Sequence, residues 1–318
     1  MKEIGGYFSL ELKNEGQLFP AFQGVLLNTG RNSLEYVLRS LGTITKVYLP
    51  HFTCDSVLEP IEKLDIQYEF YHVDIKLEIN ESISLLKNEY LIYTNYFGVK
   101  DKYVESLVDL YGEGLIVDNS QALYATPTSK CIYSPRKFVG IPDGGIAFTN
   151  GSQKIEHIEQ SRSYDICSHL LKRIDCSGSE GYAEFRENSK RLSHQPILRM
   201  SNLTHRLLNS IDFENIAKIR KRNFLYLHEH LAHINVFKEL YLENISCPMV
   251  YPLYVEDDNL RSKLIAKKVY VATYWPNVFE WCKENTIEYK LAKYIFPIPI
   301  DQRYGVEDLD FIINILHI

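Results

Sequence analysis

The stretch from Leu115 to Ala122 reads LIVDNSQA, and it is the part of the sequence that decides the fold class. Its three aliphatic residues predict a short buried strand that stops at Asp118. In open α/β sheets, ligands bind just beyond the carboxyl ends of parallel strands, so an acid followed by Gln121 indicates a site there. The alternative is that Asp118 only caps the next segment, and these residues alone leave both interpretations open.

Strands and helices alternate on both sides of this stretch. Leu34, Val37, Leu38 and Leu41 have the spacing of one apolar helix face. Strands separated by helices of this length predict βαβ units and a mainly parallel sheet. The predicted strands are Lys46–Leu49, Gln67–Val73, Tyr90–Thr94 and Leu115–Val117, and the predicted helices are Ser56–Leu64 and Lys102–Tyr111.

The second half of the chain predicts a different arrangement. We expect an N-terminal arm over residues 1–23, a large α/β domain over 24–215 and a smaller C-terminal α+β domain over 216–318. The polar segment Asp175–Pro196 predicts a long surface loop. The predicted elements of the second half are the helices Ile211–Leu231, Asn259–Lys267 and Val306–Leu316, with strands at Met249–Val255, Val269–Tyr274 and Ile295–Ile300.

Composition excludes several classes of protein. The 318 residues include 35 Lys and Arg against 41 Asp and Glu, a net charge of −6, which is a poor match to a nucleic-acid binder. We find no apolar run of transmembrane length and no signal-peptide pattern. The six cysteines are scattered without a C-x-x-C pair, so no metal site or disulfide framework is expected. These features predict a cytoplasmic protein that does not interact with membranes.

Two further segments carry candidate chemistry. At Thr29–Ser33, a glycine among small polar residues at a helix start predicts an anion site strengthened by Arg31, although a plain helix cap has the same pattern. Lys137 follows Ser134 and precedes a Pro-Asp-Gly-Gly turn; a lone lysine is usually a surface charge. Together, an anion site, an acid at a strand end and this lysine are what pyridoxal phosphate needs for its phosphate, ring nitrogen and aldehyde.

These residues resemble those of the DegT/DnrJ/StrS sugar-nucleotide aminotransferases. The family's Gly-Thr-x-Ala-Leu and Asp-Ala-Ala-Gln-Ala motifs are similar to Gly30–Leu34 and Asp118–Ala122. Its Schiff-base lysine precedes an acid and two glycines with the spacing of Lys137 and Asp143–Gly145. The resemblance covers most of the chain and implies fold type I of the pyridoxal-phosphate-dependent transferases, with the aspartate aminotransferase architecture. Similar C-terminal segments are Arg199–Ser201, Tyr274–Pro276 and Pro299–Ile300.

The resemblance also implies the roles of single residues. Lys137 would form the Schiff base with pyridoxal 5′-phosphate and move the proton, Asp118 would pair with the ring nitrogen, and Gln121 would lie beside the ring. Four positions depart from the family pattern, which usually has Thr at Arg31, an aromatic residue at Cys54, His at Asn95 and Ser at Ile132. The expected cofactor-binding set is Gly30, Arg31, Asn32, Cys54, Asp118, Gln121, Ser134 and Lys137, with Arg31 and Arg136 able to compensate for lost hydroxyls.

The expected activity is therefore transfer of an amino group from an amino acid, glutamate above all, to a keto sugar, with nucleotide linkage and polysaccharide biosynthesis implied by the family. A homodimer is implied as well. The alternatives are another reaction of the same cofactor, such as dehydration, or a family member without catalysis. Lys137 and Asp118 argue against the last alternative. Tyr96, Tyr124, Tyr133, Tyr274 and Tyr304, from an unusual total of 23 tyrosines, are candidate faces for a sugar or nucleotide ring, and Tyr7 is a candidate to reach across a dimer.

Overall fold

A seven-stranded sheet lies at the centre of the chain. The computed structural model describes residues 9–15, 19–153, 155, 157–241 and 247–316. The strands are β1 (Val25–Leu27), β2 (Lys46–Pro50), β3 (Gln67–Tyr71), β4 (Glu89–Thr94), β5 (Leu115–Asp118), β6 (Cys131–Tyr133) and β7 (Gly145–Phe148).

The order of the strands brings the candidate segments to one edge. Across the sheet the order is β1-β7-β6-β5-β4-β2-β3, and β7 runs antiparallel to both of its neighbours while the remaining strands share one direction. The ends of β1, β4, β5 and β6 and the beginning of β7 therefore meet at the same edge, which we call the carboxyl edge. This edge is where an open α/β sheet places its ligands.

Helices cover both faces of the sheet, as a mainly parallel sheet requires. One apolar cluster packs Leu34 and Val37 against the strands, and a larger one continues to a second, two-stranded antiparallel sheet of β8 (Tyr251–Tyr254) and β9 (Ile295–Ile298). The helices are α1 (Gly30–Ser40), α2 (Leu58–Lys63), α3 (Asp101–Tyr111), α4 (Ser168–Asp175), α5 (Tyr182–Lys190), α6 (Asn202–Asn209), α7 (Phe213–Leu231), α8 (Leu260–Ala266), α9 (Val278–Trp281), α10 (Ile287–Tyr294) and α11 (Val306–Leu316).

The predicted fold class, a mainly parallel α/β sheet flanked by helices, is confirmed. The long helix begins at Phe213 rather than at Ile211, because the Asp212 side chain accepts the Asn215 N–H at 2.9 Å and caps it. The division into domains at 23 and 215 stays a prediction. Residues 1–8 and 16–18 of the predicted arm, including Tyr7, lie outside the described residues.

Two predictions about the second half are wrong. The segment Val269–Tyr274 is not a strand, although Val269 and Val271 are buried and Tyr270 is exposed. This alternation arises without a neighbouring strand, since carbonyls of the segment accept hydrogen bonds from Arg261 instead. The predicted loop Asp175–Pro196 contains helix α5, which has too few apolar residues to show a helical period.

Two glycines at the start of β7 contact the turn between β1 and α1. Gly144 N–H donates to the Asn28 carbonyl at 2.6 Å, and Gly144 has a φ of +132°, which favours glycine. A Cβ at the next residue, Gly145, would lie 2.2 Å from the Thr29 carbonyl oxygen. The start of β7 therefore packs directly on the turn between β1 and α1, without room for a side chain.

We predict that Gly145→Ala destabilises the protein by about 3 kcal/mol, since the backbone of Thr29 must move to admit a methyl group. The measurement is the midpoint of urea unfolding. Gly305→Ala is the matched control, because a Cβ there meets nothing within 4 Å, and it should change stability by less than about 0.5 kcal/mol. Equal midpoints for the two variants would contradict the prediction.

Candidate active site

The start of α1 forms the first wall of the site. Thr29 caps the helix, and its hydroxyl accepts the Asn32 N–H at 3.0 Å. Helix geometry leaves the preceding N–H groups of Gly30 and Arg31 without intrahelical partners. A Cβ built on Gly30 would lie 3.6 Å from the Ser134 Cβ and 3.9 Å from the Ser120 hydroxyl. Amides and hydroxyls from three strand ends therefore converge at one helix N-terminus, the arrangement that binds a phosphate.

Two residues predicted to hold the phosphate have other partners. The Arg31 guanidinium pairs with Glu59 at 3.0 Å, so a carboxylate already offsets its charge. The Asn32 side-chain amide donates to the Asn28 side chain at 2.8 Å and to the Pro196 carbonyl at 2.7 Å. With its backbone N–H taken by Thr29, Asn32 supports the turn and has no donor left for a ligand.

Asp118 and Gln121 lie next to this turn, at the end of β5. Asp118 accepts the Ser120 N–H at 2.8 Å and makes no ion pair within the described residues. Gln121 is fully buried, and its Oε1 accepts the Phe97 N–H at 2.9 Å. This bond fixes the orientation of the Gln121 amide, so its Nε2 faces away from Phe97.

Several buried polar atoms at the carboxyl edge lack partners. Asn95 donates from Nδ2 to Asp101 at 2.8 Å and to Asn119 at 3.0 Å. Across the described part of the chain, no hydrogen-bond partner contacts Asn95 Oδ1, Asn119 Nδ2 or Gln121 Nε2. Buried polar atoms of folded proteins are almost always bonded, so this group indicates a polar ligand.

Lys137 lies in a short helical turn directly after β6. Its backbone N–H donates to the Ser134 carbonyl at 3.2 Å, and its side chain is exposed. No acid in the described ranges forms an ion pair with its amine. The register of β5 and β6 pairs Asp118 with Ile132, which places the Asp118 and Lys137 segments on neighbouring strand ends.

Asp143 connects the turn after Lys137 to the start of helix α6, a role that the sequence analysis missed. It is fully buried and accepts the Ser201 hydroxyl at 2.8 Å, the Ser201 N–H at 3.1 Å and the Thr204 hydroxyl. Its carboxylate thus ties the turn after Lys137 to the N-terminus of α6. The only sequence signal for this contact was the Ser201 helix cap.

Arg136 is a second cation at the carboxyl edge without an ion pair in the described ranges. Its Nε is buried without a hydrogen bond inside the described ranges. Burial lowers the pKa of Arg136 to about 10; the charge of Asp143 opposes the shift and the charge of Arg31 adds to it. The guanidinium is protonated at neutral pH. The charge of Arg136 also helps burial to lower the pKa of His169 on α4.

Cys54 lies at the opposite side of the site. Its sulfur accepts the Ser56 hydroxyl at 3.1 Å. The Asn277 side chain donates to the neighbouring Thr53 carbonyl at 2.9 Å, which brings the segment around Tyr274 to this loop. Burial raises the pKa of Tyr274 to about 12, and Cys54 contributes to the shift. Tyr274 therefore remains a neutral aromatic group next to the thiol.

Three of the candidate tyrosines serve the core instead. The hydroxyls of Tyr96, Tyr124 and Tyr133 donate to the carbonyls of Phe52, Phe213 and Ala125, respectively, at 2.7–3.0 Å. Each ring is buried or half-buried, and each hydroxyl has its partner, so these residues offer nothing to a sugar. Tyr274 and Tyr304 remain candidates.

Solved structures with similar folds are sugar aminotransferases. A DegT DnrJ EryC1 StrS aminotransferase from Brucella abortus matches with a TM-score of 0.62 at 16% identity, over 92% of this chain and 84% of that one. A Streptococcus pneumoniae protein described as a sugar aminotransferase, in its PLP form, has a TM-score of 0.62 at 14% identity, over 92% and 86%. DesI, solved in the presence of its TDP-sugar product, has a TM-score of 0.60 at 13% identity, over 92% and 79%.

This chain has the fold of the sugar aminotransferases. No protein-family model matches the sequence, and no curated protein matches it in sequence. The resemblance read from the motifs is thus confirmed for the fold, and the roles of single residues stay predictions. Among the described residues we find no helix able to cross a membrane and no group of three acids, histidines or cysteines able to hold a metal.

The residues present fit pyridoxal phosphate. The N-terminus of α1 with Ser120 and Ser134 offers donors for a phosphate, and Asp118 offers a carboxylate without a cation for a protonated ring nitrogen. Gln121 Nε2 is a free donor for the ring hydroxyl. Lys137 supplies a free amine on the adjacent strand end.

Proposed function

We propose that this protein is a pyridoxal-phosphate-dependent aminotransferase that moves an amino group from an amino acid, with glutamate as the expected donor, to a nucleotide-linked keto sugar. One observation carries the proposal: Asp118 and Lys137, neither of them ion-paired within the described residues, lie on neighbouring strand ends beside the helix that would hold the phosphate. The nucleotide-linked acceptor is supported by the TDP-sugar product of a protein with the same fold.

The chain's own residues divide the chemistry among them. When bound, pyridoxal phosphate supplies an electron sink for negative charge on the α-carbon of the amino acid. Asp118 would keep a proton on the ring nitrogen, and Gln121 would orient the ring through its free amide nitrogen. Lys137 Nζ would hold the cofactor and would carry the proton at the α-carbon of the amino acid.

We predict that the wild-type protein turns yellow with pyridoxal phosphate and retains the cofactor covalently after borohydride reduction, whereas Lys137→Ala does not. Peptide mapping of the reduced protein should place the label on Lys137. Lys87→Ala is the matched control, because Lys87 is also exposed and lies away from the carboxyl edge. A wild-type protein that remains colourless would contradict the proposed function.

We predict that glutamate bleaches the yellow form and that a nucleotide-linked keto sugar restores it. In Asp118→Asn the asparagine still accepts the Ser120 N–H, but the carboxylate charge is lost, so the bleaching rate should fall about 100-fold or more. Stopped-flow absorbance measures both rates. If glutamate leaves the spectrum unchanged while a nucleotide sugar is consumed, the reaction is dehydration or another chemistry of the same cofactor.

A cytoplasmic homodimer completes the proposal. Helices α4 and α5 expose the apolar side chains of Leu171, Ile174, Tyr182 and Phe185, with Ile174 80% exposed. Soluble monomers rarely leave such a group of apolar residues uncovered. A second copy of the chain is the partner that the family resemblance implies, and this surface is the one it would cover.

We predict that the wild type sediments as a dimer and that the double change Leu171→Asp and Ile174→Asp shifts it to a monomer, because two buried charges without partners destabilise an apolar interface. Leu110→Asp, at an equally exposed leucine on α3, is the control and should leave the mass unchanged. Sedimentation velocity measures the mass. A wild-type monomer, or a dimer indifferent to the double change, would refute this surface.

A further inference from the structure

The cationic groups at the carboxyl edge are not equivalent. A phosphate monoester is a dianion, and neither Arg31 nor Ile132 can supply it with a hydroxyl. Ile132 is buried and packs in the apolar cluster with Leu34, so it offers nothing polar. Arg31 already has a carboxylate partner, since it forms an ion pair with Glu59, which also accepts the His194 N–H at 2.8 Å. A cation without such a partner is the better candidate to balance the phosphate.

Arg136 has the charge and lacks a counterion. The nearest acid that influences it, Asp143, has its oxygens bonded to Ser201 and Thr204, and no carboxylate within the described ranges forms an ion pair with Arg136. The other titratable groups that face it are Arg31 and His169, neither of which is an anion. The Arg136 side chain is half-buried, and its Nε is buried without a hydrogen bond among the described residues, so this position indicates an anionic ligand.

The position of Arg136 matches that of the phosphate site. It follows Ser134 by two residues, and the Ser134 side chain lies against Gly30 at the start of α1. The charges of Arg136 and Arg31 influence each other, so the Arg136 guanidinium lies near the start of α1, where Arg31 is the second residue. Helix dipole, hydroxyl donors and a full positive charge together suit a doubly charged phosphate.

We propose that Arg136, and not Arg31, is the main cationic ligand of the cofactor phosphate in this chain. This inference rests on the proposed function, since it assigns a residue within the same site. The guanidinium supplies the positive charge from the residue next to Lys137. Attachment and phosphate binding are thereby placed on consecutive residues of one turn.

Binding of pyridoxal phosphate, compared with pyridoxal, tests the inference without measuring activity. The two ligands differ only in the phosphate. In Arg136→Gln the dissociation constant for pyridoxal phosphate should rise about 10- to 100-fold, as expected for a lost charged hydrogen bond, while that for pyridoxal stays unchanged. Arg136→Lys should recover part of the affinity, since it keeps the charge but not the planar fork.

Two controls separate the possible outcomes. Arg206→Gln, at an exposed arginine on α6, should bind both ligands as the wild type does, and Arg31→Gln should lose less affinity for pyridoxal phosphate than Arg136→Gln. Inorganic phosphate should compete with pyridoxal phosphate in the wild type and not in Arg136→Gln. Equal weakening of both ligands, or unchanged discrimination, would overturn the inference while the yellow wild type still supports the proposed function. A wild type that binds neither ligand at Lys137 would overturn both.

Discussion

The contact between the start of β7 and the turn after β1 sets the geometry of everything else at the carboxyl edge. Gly144 donates to the Asn28 carbonyl at 2.6 Å, and Gly145 leaves no room for a side chain against Thr29. Because Lys137 lies in the connection that ends at these glycines, the contact determines how far its amine lies from α1. Asp143 then anchors the same connection to α6. An antiparallel β7 is what makes this possible, since it starts at the edge where β1 ends.

The same edge concentrates groups that the folded chain alone does not satisfy. Gln121, Asn119 and Asn95 each keep a buried polar atom without a partner among the described residues, and Arg136 keeps a charge without an anion. Each such group costs stability, of the order of 1–3 kcal/mol for a neutral one. A ligand that satisfies several of them at once recovers this cost and stabilises the folded state by mass action. The unpartnered polar groups of the site therefore lower the stability of the protein when no ligand is bound.

Periodicity was enough to predict four of the seven strands of the central sheet. The strands from Lys46 to Asp118 have apolar residues and clear turn signals, whereas β1, β6 and β7 are only three or four residues long and were not predicted. Helix α5 was not predicted because its sequence, YAEFRENSK, buries few side chains and its apolar residues show no helical period. The segment Val269–Tyr274 was wrongly predicted as a strand because its apolar and polar residues alternate. It has no neighbouring strand to pair with, and its carbonyls accept hydrogen bonds from Arg261 instead.

It was easier to predict which residues belong to the candidate site than which partners their side chains contact. Motif spacing predicted Gly30, Asp118, Gln121 and Lys137 as site residues, but it could not show that Glu59 forms an ion pair with Arg31 or that the Pro196 carbonyl accepts the Asn32 amide, because both partners are distant in sequence. The two arginines had the same expected part on sequence grounds, and these contacts distinguish them. Arg31 has a carboxylate partner, whereas no carboxylate within the described ranges forms an ion pair with Arg136. The role proposed for Arg136 therefore depends on a contact between distant residues, which motif spacing does not reveal.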